Sequence, residues 1–182
     1  MRLLILLYPL FVYSQTCVIN KKDITVEWYA FKTPSKIGVK GWFKNLGLNK
    51  SYKGNNLKGL LTGTKFNIKT DSTDTGVKER NKKIVDSFFG KIPSKNKNIR
   101  GSIVSVTEDT LNLELTINNV TRQVPMNFKE SGNEFLASGY IDVFDFGLMS
   151  SLKGINEACK ALHLGKTWND VKLVLKAKYS CK

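Results

Sequence analysis

Apolar and polar residues alternate along most of the chain, which is the pattern of β-strands with one buried face and one exposed face. The segment 111–117 alternates without interruption. Asn118 and Asn119 follow it, and they predict a two-residue hairpin because Asn tolerates positive φ. The whole pattern predicts eight strands, at residues 24–30, 37–43, 60–68, 99–106, 111–117, 120–129, 135–143 and 171–179.

Two segments lack this alternation. Residues 75–89 are rich in charged side chains and poor in β-branched ones, and residues 147–164 carry apolar side chains at helical spacing. We interpret both as short helices inserted between strands. Eight antiparallel strands leave no exposed edge when they close on themselves. The predicted fold is therefore all-β, an eight-stranded antiparallel β-barrel with two short inserted helices, and a β-sandwich is the alternative.

The composition limits the classes of function. The chain has 182 residues, a length typical of one domain, and 41% of them are hydrophobic, which argues against disorder. It contains one histidine and three cysteines, too few for a His-rich metal site or a zinc ribbon. We therefore expect a protein that is not an enzyme and that has no catalytic residues, no metal and no cofactor.

Three possible motifs fail on their chemistry. Residues 54–59 have the spacing of a phosphate-binding loop, but two leucines follow where Lys and Ser or Thr are needed. Residues 71–76 resemble a calcium loop, but Lys82 stands where a bidentate Glu belongs. His163, the single histidine, falls at the end of a predicted helix, which favours a solvated side chain.

The first residues have the layout of a secretory signal peptide. After a positively charged start, residues 3–12 are mostly apolar, a stretch too short to span a membrane. Val12 and Ser14 occupy the −3 and −1 positions of a cleavage site. We expect removal of residues 1–14, a mature domain at 15–182, and a periplasmic or secreted location. A short hydrophobic first strand is the alternative.

The cysteines suggest a disulfide if the barrel closes. The first and last strands of a closed barrel are antiparallel neighbours, so the start of one lies beside the end of the other. Cys17 precedes the first predicted strand and Cys181 follows the last, which makes a Cys17–Cys181 bond plausible in an oxidising compartment. A Cys159–Cys181 bond and three free thiols are the alternatives.

The positive charge is large and diffuse. Lys and Arg number 29 against 15 Asp and Glu, a net charge of +14, and residues 78–100 carry eight basic side chains. Such a surface can bind an anionic membrane surface or the phosphates of a nucleic acid, or it can serve only solubility. An exported chain rarely meets nucleic acid, so we expect no nucleic-acid partner.

Five short motifs occur in an order that is typical of one known family. Their sequences are IGVKGWF at 37–43, DTG at 74–76 with Arg80, DSFF at 86–89, LTINNVTRQV at 115–124 and DFG at 145–147. On these motifs the chain resembles the YceI-like family of exported, lipocalin-like, lipid-binding barrels. It departs from the family at Asn119, where Gly is usual, and at the WYA sequence of residues 28–30.

The resemblance implies a long lipocalin-like barrel that encloses an apolar tunnel for an isoprenoid or fatty-acyl chain. That lipid would be the bound group and the partner of the protein, while the oligomeric state, a dimer included, stays open. In-phase strand faces supply the candidate lining: Val26, Trp28, Val39, Phe43, Phe66, Leu113, Leu115, Met126, Phe128, Ile141, Leu173 and Leu175. Phe144, Phe146 and Leu148 are expected to close one mouth. The alternative is an exported basic interaction or adhesion module with a solid core and no ligand.

Overall fold

The computed structural model describes residues 16–49, 53–162 and 166–182. The predicted signal peptide and His163 lie outside the described residues. The strands are β1 Cys17–Lys32, β2 Ile37–Phe43, β3 Leu46–Leu48, β4 Lys53–Gly54, β5 Lys65–Ile68, β6 Thr73–Asp74, β7 Ile99–Val106, β8 Thr110–Ile117, β9 Val120–Ser131, β10 Glu134–Asp142 and β11 Thr167–Cys181. The helices are α1 Leu57–Leu61, α2 Lys78–Ser87 and α3 Met149–Ala158. Within these described ranges, no helix is long and apolar enough to cross a membrane.

All the strands belong to one antiparallel sheet. Its order is β3-β5-β7-β8-β9-β10-β11-β1-β2-β6, with β4 paired to the start of β1. The two ends of this order are connected through the chain, because β3 directly follows β2 and β6 directly follows β5 after a single helical turn at Thr70–Ser72. The sheet is therefore the wall of a barrel.

Backbone hydrogen bonds join residues 44–45, between β2 and β3, to residues 69–72, between β5 and β6. The backbone N–H of Lys44 donates to the carbonyl of Ser72 at 3.1 Å, and that of Lys69 donates to the carbonyl of Asn45 at 3.3 Å. Residues 42–48 thus run antiparallel to 66–74 on both sides of these hydrogen bonds. The short strands β3, β4 and β6 lie outside the eight predicted strands, so the described chain has eleven strands instead of eight. The predicted antiparallel barrel architecture is confirmed.

The predicted strand at 60–68 is wrong in its first half. Residues Leu57–Leu61 form α1, and the strand begins only at Lys65. Asn56 starts this helix, since its side-chain Oδ1 accepts a hydrogen bond from the backbone N–H of Gly59 at 2.7 Å. Leucines at helical spacing then bury Leu57, Leu60 and Leu61 together, which a strand would place on opposite faces.

The Asn118-Asn119 hairpin is confirmed. Both residues have positive φ, 54° and 61°, between β8 and β9. The amide of Asn118 also ties the hairpin to two other segments: its Nδ2 donates to the carbonyl of Phe146 at 3.0 Å, and its Oδ1 accepts from the backbone N–H of Ser94 at 2.9 Å. The turn therefore fixes the strand register and anchors neighbouring connections.

Both predicted helices exist but are shorter than their patterns. Helix α2 covers 78–87 instead of 75–89, and α3 covers 149–158 instead of 147–164. They pack closely at Gly154, where a Cβ atom would lie 2.4 Å from the carbonyl oxygen of Ser87. A side chain at position 154 would separate the two helices.

A disulfide joins the first strand to the last. β1 pairs with β11 in an antiparallel register that places Cys17 opposite Cys181, and the two residues are bonded. Cys159 is a buried free thiol at the end of α3. β1 and β11 are therefore joined both by backbone hydrogen bonds and by a covalent bond.

Candidate functional site

An apolar cavity of about 590 Å³ occupies the barrel. Its wall consists of inward-facing side chains from the strands, and residues of α2, α3 and their flanking turns complete it at one end. The volume lies within the range of about 300–1,000 Å³ that is typical of small-molecule sites. The interior of this barrel is therefore not filled by its own side chains.

Most of the predicted lining residues are in the cavity wall. Their strands are those whose alternation was clearest, since a period of two assigns each side chain to one face. The lining residues that both the sequence and the structure place there are Val26, Trp28, Val39, Phe43, Phe66, Leu113, Leu115, Met126, Ile141, Leu148, Leu173 and Leu175.

Three predicted lining residues lie elsewhere. Phe128 is buried beside Phe135, with ring centroids 5.8 Å apart, and it is not in the wall. Phe144 and Phe146 were expected to close a mouth. They lie instead in a single helical turn at Val143–Phe146, and their side chains point in different directions. Phe146 is 1% exposed within the core, whereas Phe144 is 44% exposed on the surface.

Several wall residues were not predicted. Phe31 and Trp168 lie just beyond the predicted ends of the first and last strands, because β1 and β11 extend further than their alternation. Ile103 and Phe135 lie on predicted strands, but each has one apolar neighbour, Val104 or Leu136, so the alternation did not assign their faces. Leu61 enters the wall from α1, a helix that the pattern of apolar residues did not predict.

The indole of Trp28 crosses the inner surface of three strands. Its Nε1 donates to Oγ1 of Thr73 on β6 at 3.2 Å, so the buried N–H has a partner. Between them lies Gly41 on β2, which is the register partner of Trp28. The absence of a side chain at Gly41 leaves the space that the ring occupies.

The exposed part of the described cavity wall lies at one end. Among the described wall residues, only Val77, Glu79, Arg80 and Leu162 are exposed, and all four belong to the start of α2 or the segment after α3. We call these four residues the mouth. The wall is almost wholly apolar away from it, so the cavity combines an apolar interior with a polar end.

Cys159 lies in the wall near this mouth. Burial raises the pKa of its thiol, and the charges of Lys83 and Lys32 oppose that shift. The thiol is therefore protonated at neutral pH and behaves as a small apolar group. Within the described parts of the chain, no cluster of His, Cys, Asp and Glu has the geometry of a metal site.

The outer face of the barrel holds a buried charge. Glu27 on β1 is 5% exposed and forms ion pairs with Lys40 on β2 at 2.9 Å and Lys176 on β11 at 2.6 Å. Burial raises the pKa of Glu27, but these two lysines outweigh it and the net pKa is lowered. The cluster links three strands and lies outside the cavity.

An antiparallel barrel around an apolar cavity defines a lipocalin-like protein. The sequence matches the YceI-like domain over residues 17–179, and the chain therefore belongs to the YceI-like domain family. The resemblance stated from the five motifs is confirmed. No curated protein matches the sequence.

Solved structures share this fold at low sequence identity. BcnA of Burkholderia cenocepacia superposes with a TM-score of 0.60 at 13% identity, covering 89% of this chain and 99% of BcnA. A polyisoprenoid binding domain from Saccharophagus degradans gives 0.60 at 12% identity, covering 92% and 99%. The Campylobacter jejuni YCEI protein gives 0.51 at 17% identity, covering 79% and 85%.

Proposed function

We propose that the protein binds one long apolar lipid chain in its cavity, without covalent attachment and without a catalytic step. The apolar cavity of about 590 Å³ carries this proposal, because a barrel with a solid core would have no space for a guest. Membership of the YceI-like family and the similarity to a polyisoprenoid binding domain support the same class of ligand.

Burial of the chain supplies the affinity. Each CH₂ group that leaves water contributes about 0.8 kcal/mol, so ten buried carbons contribute about 8 kcal/mol before the cost of association. The wall residues Leu113, Leu115 and Met126 offer no polar atoms that would favour a compact polar ligand over a chain. A linear isoprenoid or acyl chain suits so apolar a cavity.

We also propose that the protein acts outside the cytoplasm. Residues 1–14 match a cleavable signal peptide, and a disulfide such as Cys17–Cys181 is typical of oxidising compartments. N-terminal sequencing of the exported protein should begin at Gln15. Recovery of the exported protein with Met1 intact would contradict this proposal.

Extraction tests the binding function directly. Organic extraction of purified protein followed by mass spectrometry should recover a long-chain lipid. Ala30→Phe should reduce the recovered lipid strongly, because Ala30 faces the cavity between Val39 and Val171 and a ring there fills the space. Val104→Phe is the matched control, since Val104 is exposed on β7.

A buried charge gives a second test. Leu115→Glu places a carboxylate in the wall at a position that is 3% exposed, at a cost of several kcal/mol. Lys129→Glu is the control, because Lys129 is exposed on β9. Circular dichroism checks folding of each variant. If wild-type protein yields no lipid and added long-chain lipids leave its melting temperature unchanged, the binding function is wrong.

A further inference from the structure

Three cations surround the polar end of the cavity. Arg80 belongs to the mouth, while Lys32 from β1 and Lys83 from α2 are half-buried wall residues. Glu79 is the single carboxylate among the described wall residues. Three positive charges against one negative charge leave an excess of two where the apolar interior meets solvent.

These cations have no partner among the described residues. Ion pairs occupy other lysines of the chain, namely Lys36, Lys40, Lys44, Lys82, Lys176 and Lys178. Lys32, Arg80 and Lys83 form none of these pairs, and they make no side-chain hydrogen bond within the described ranges. An exposed lysine without a partner is solvated by water, but Lys32 and Lys83 are partly removed from water and uncompensated.

The two lysines converge on one place although they come from different elements. Lys32 is the register partner of Thr167, whose backbone N–H donates to Oδ1 of Asn156 on α3 at 2.6 Å. Helix α3 packs against α2, which carries Lys83, so both lysines and Cys159 line the same end of the wall. No side chain caps the first turn of α2, and the carboxylate of Glu79 in that turn offsets its partial positive charge, so the positive field here comes from the two lysines and Arg80. The local field therefore favours an anion at this end.

We propose that Lys32, Lys83 and Arg80 bind the anionic headgroup of the lipid, a carboxylate or a phosphate, while its chain lies in the cavity. This inference rests on the proposed lipid-binding function and adds the class of headgroup and the direction of insertion. The chain enters first and the headgroup stays at the mouth. Burial of the chain supplies most of the affinity. Among lipids with chains of equal length, the cations favour those with an anionic headgroup.

A set of lipids with one chain and different headgroups tests the proposal. Oleate, oleyl phosphate and oleyl alcohol are titrated into lipid-stripped full-length protein and followed by tryptophan fluorescence, because Trp28 and Trp168 both line the cavity. Wild-type protein should bind at least one anionic probe about tenfold more tightly than the alcohol. The comparison of oleate with oleyl phosphate identifies which anion is preferred.

The double variant Lys32→Met, Lys83→Met should lose about tenfold in affinity for the anionic probe and change by less than about twofold for oleyl alcohol. Lys78→Met, Lys160→Met is the matched control, since both lysines are exposed near the mouth but outside the wall. It should keep the wild-type preference.

Each outcome has a separate meaning. Equal wild-type affinity for oleyl alcohol and both anionic probes overturns the headgroup site and leaves lipid binding intact. An unchanged preference in the double variant, or its loss in the control, shows that Lys32 and Lys83 do not form the site. Failure of all three probes to bind wild-type protein overturns the proposed function together with this inference.

Discussion

The indole ring of Trp28 occupies the space that a side chain at position 41 would need. A Cβ atom on Gly41 would lie 2.2 Å from Cζ2 of the ring. The same arrangement recurs at Phe66 and Gly101, where a Cβ atom would lie 2.5 Å from Cζ of the phenyl ring. In both pairs the glycine is the register partner of the aromatic residue on the neighbouring strand. Glycine thus lets large rings lie flat along the barrel wall.

Gly41→Ala should destabilise the protein by about 1–3 kcal/mol, because the indole must leave its position and its hydrogen bond to Thr73. Urea unfolding measures the change. Gly38→Ala on the same strand is the control, since the nearest atom to a Cβ there, on Phe31, is at an ordinary 3.7 Å. Equal stability of the two variants would contradict the role of the ring.

Loss of the disulfide should lower stability markedly. The bond joins residues 164 positions apart, and chain-entropy models assign about 4–5 kcal/mol to so long a loop. Cys17→Ser and wild-type protein in reductant should therefore show similarly reduced urea midpoints. Cys159→Ala is the control: it keeps the disulfide, so without reductant it should not show this reduction. Non-reducing peptide mapping that finds Cys181 unpaired would refute the bond.

Acid should weaken the junction between β6 and α2. Lys44, the backbone N–H of Gly76 and the amide of Asn81 hold the pKa of Asp74 well below its usual range. A lowered folded-state pKa stabilises the protein above the ordinary Asp pKa, and this contribution is lost as pH falls below about 4.

Asp74→Asn tests this junction. The variant should be less stable than wild-type protein at pH 7, and the difference should shrink at about pH 3. Asp71→Asn, an exposed position in the preceding turn, is the control and should leave stability close to wild type at both pH values. A difference between Asp74→Asn and wild type that does not vary with pH would contradict the ionic role.

Alkali should act on Tyr179. Burial and the hydrogen bond to Glu130 raise the pKa of its hydroxyl to about 12. A raised folded-state pKa stabilises the protein below the ordinary value of about 10, and the contribution is lost as pH rises towards about 12. The difference in tyrosinate absorbance between wild type and Tyr179→Phe should have its midpoint near 12, and a midpoint near 10 would contradict it.

The alternation of residues predicted the barrel and most of its wall because a period of two depends only on local geometry. It failed where side-chain direction depends on more than strand period. Phe128 has the correct inward phase, but phase does not specify the level of a residue along the barrel axis. The helical turn at Val143–Phe146 places Phe146 in the core and Phe144 on the surface, so neither closes a mouth.

The cluster of Lys32, Lys83 and Arg80 could not be predicted from the sequence. Lys32 ends a strand and Lys83 lies in a helix, and both resemble the many solvated lysines of a basic chain. Their proximity depends on how α2 covers the barrel end, which rests on tertiary contacts such as the hydrogen bond from Asn81 Nδ2 to Asp74 at 2.7 Å. No periodic pattern encodes such a contact.

The position of the disulfide has a mechanical consequence. A pulling force applied to the two ends of the described chain passes through the Cys17–Cys181 bond, so the barrel between them carries no tension. After reduction, the same force acts on neighbouring antiparallel ends of β1 and β11 and peels their hydrogen bonds apart one after another. The redox state of one bond therefore decides whether the barrel is shielded from tension or loaded in its weakest direction.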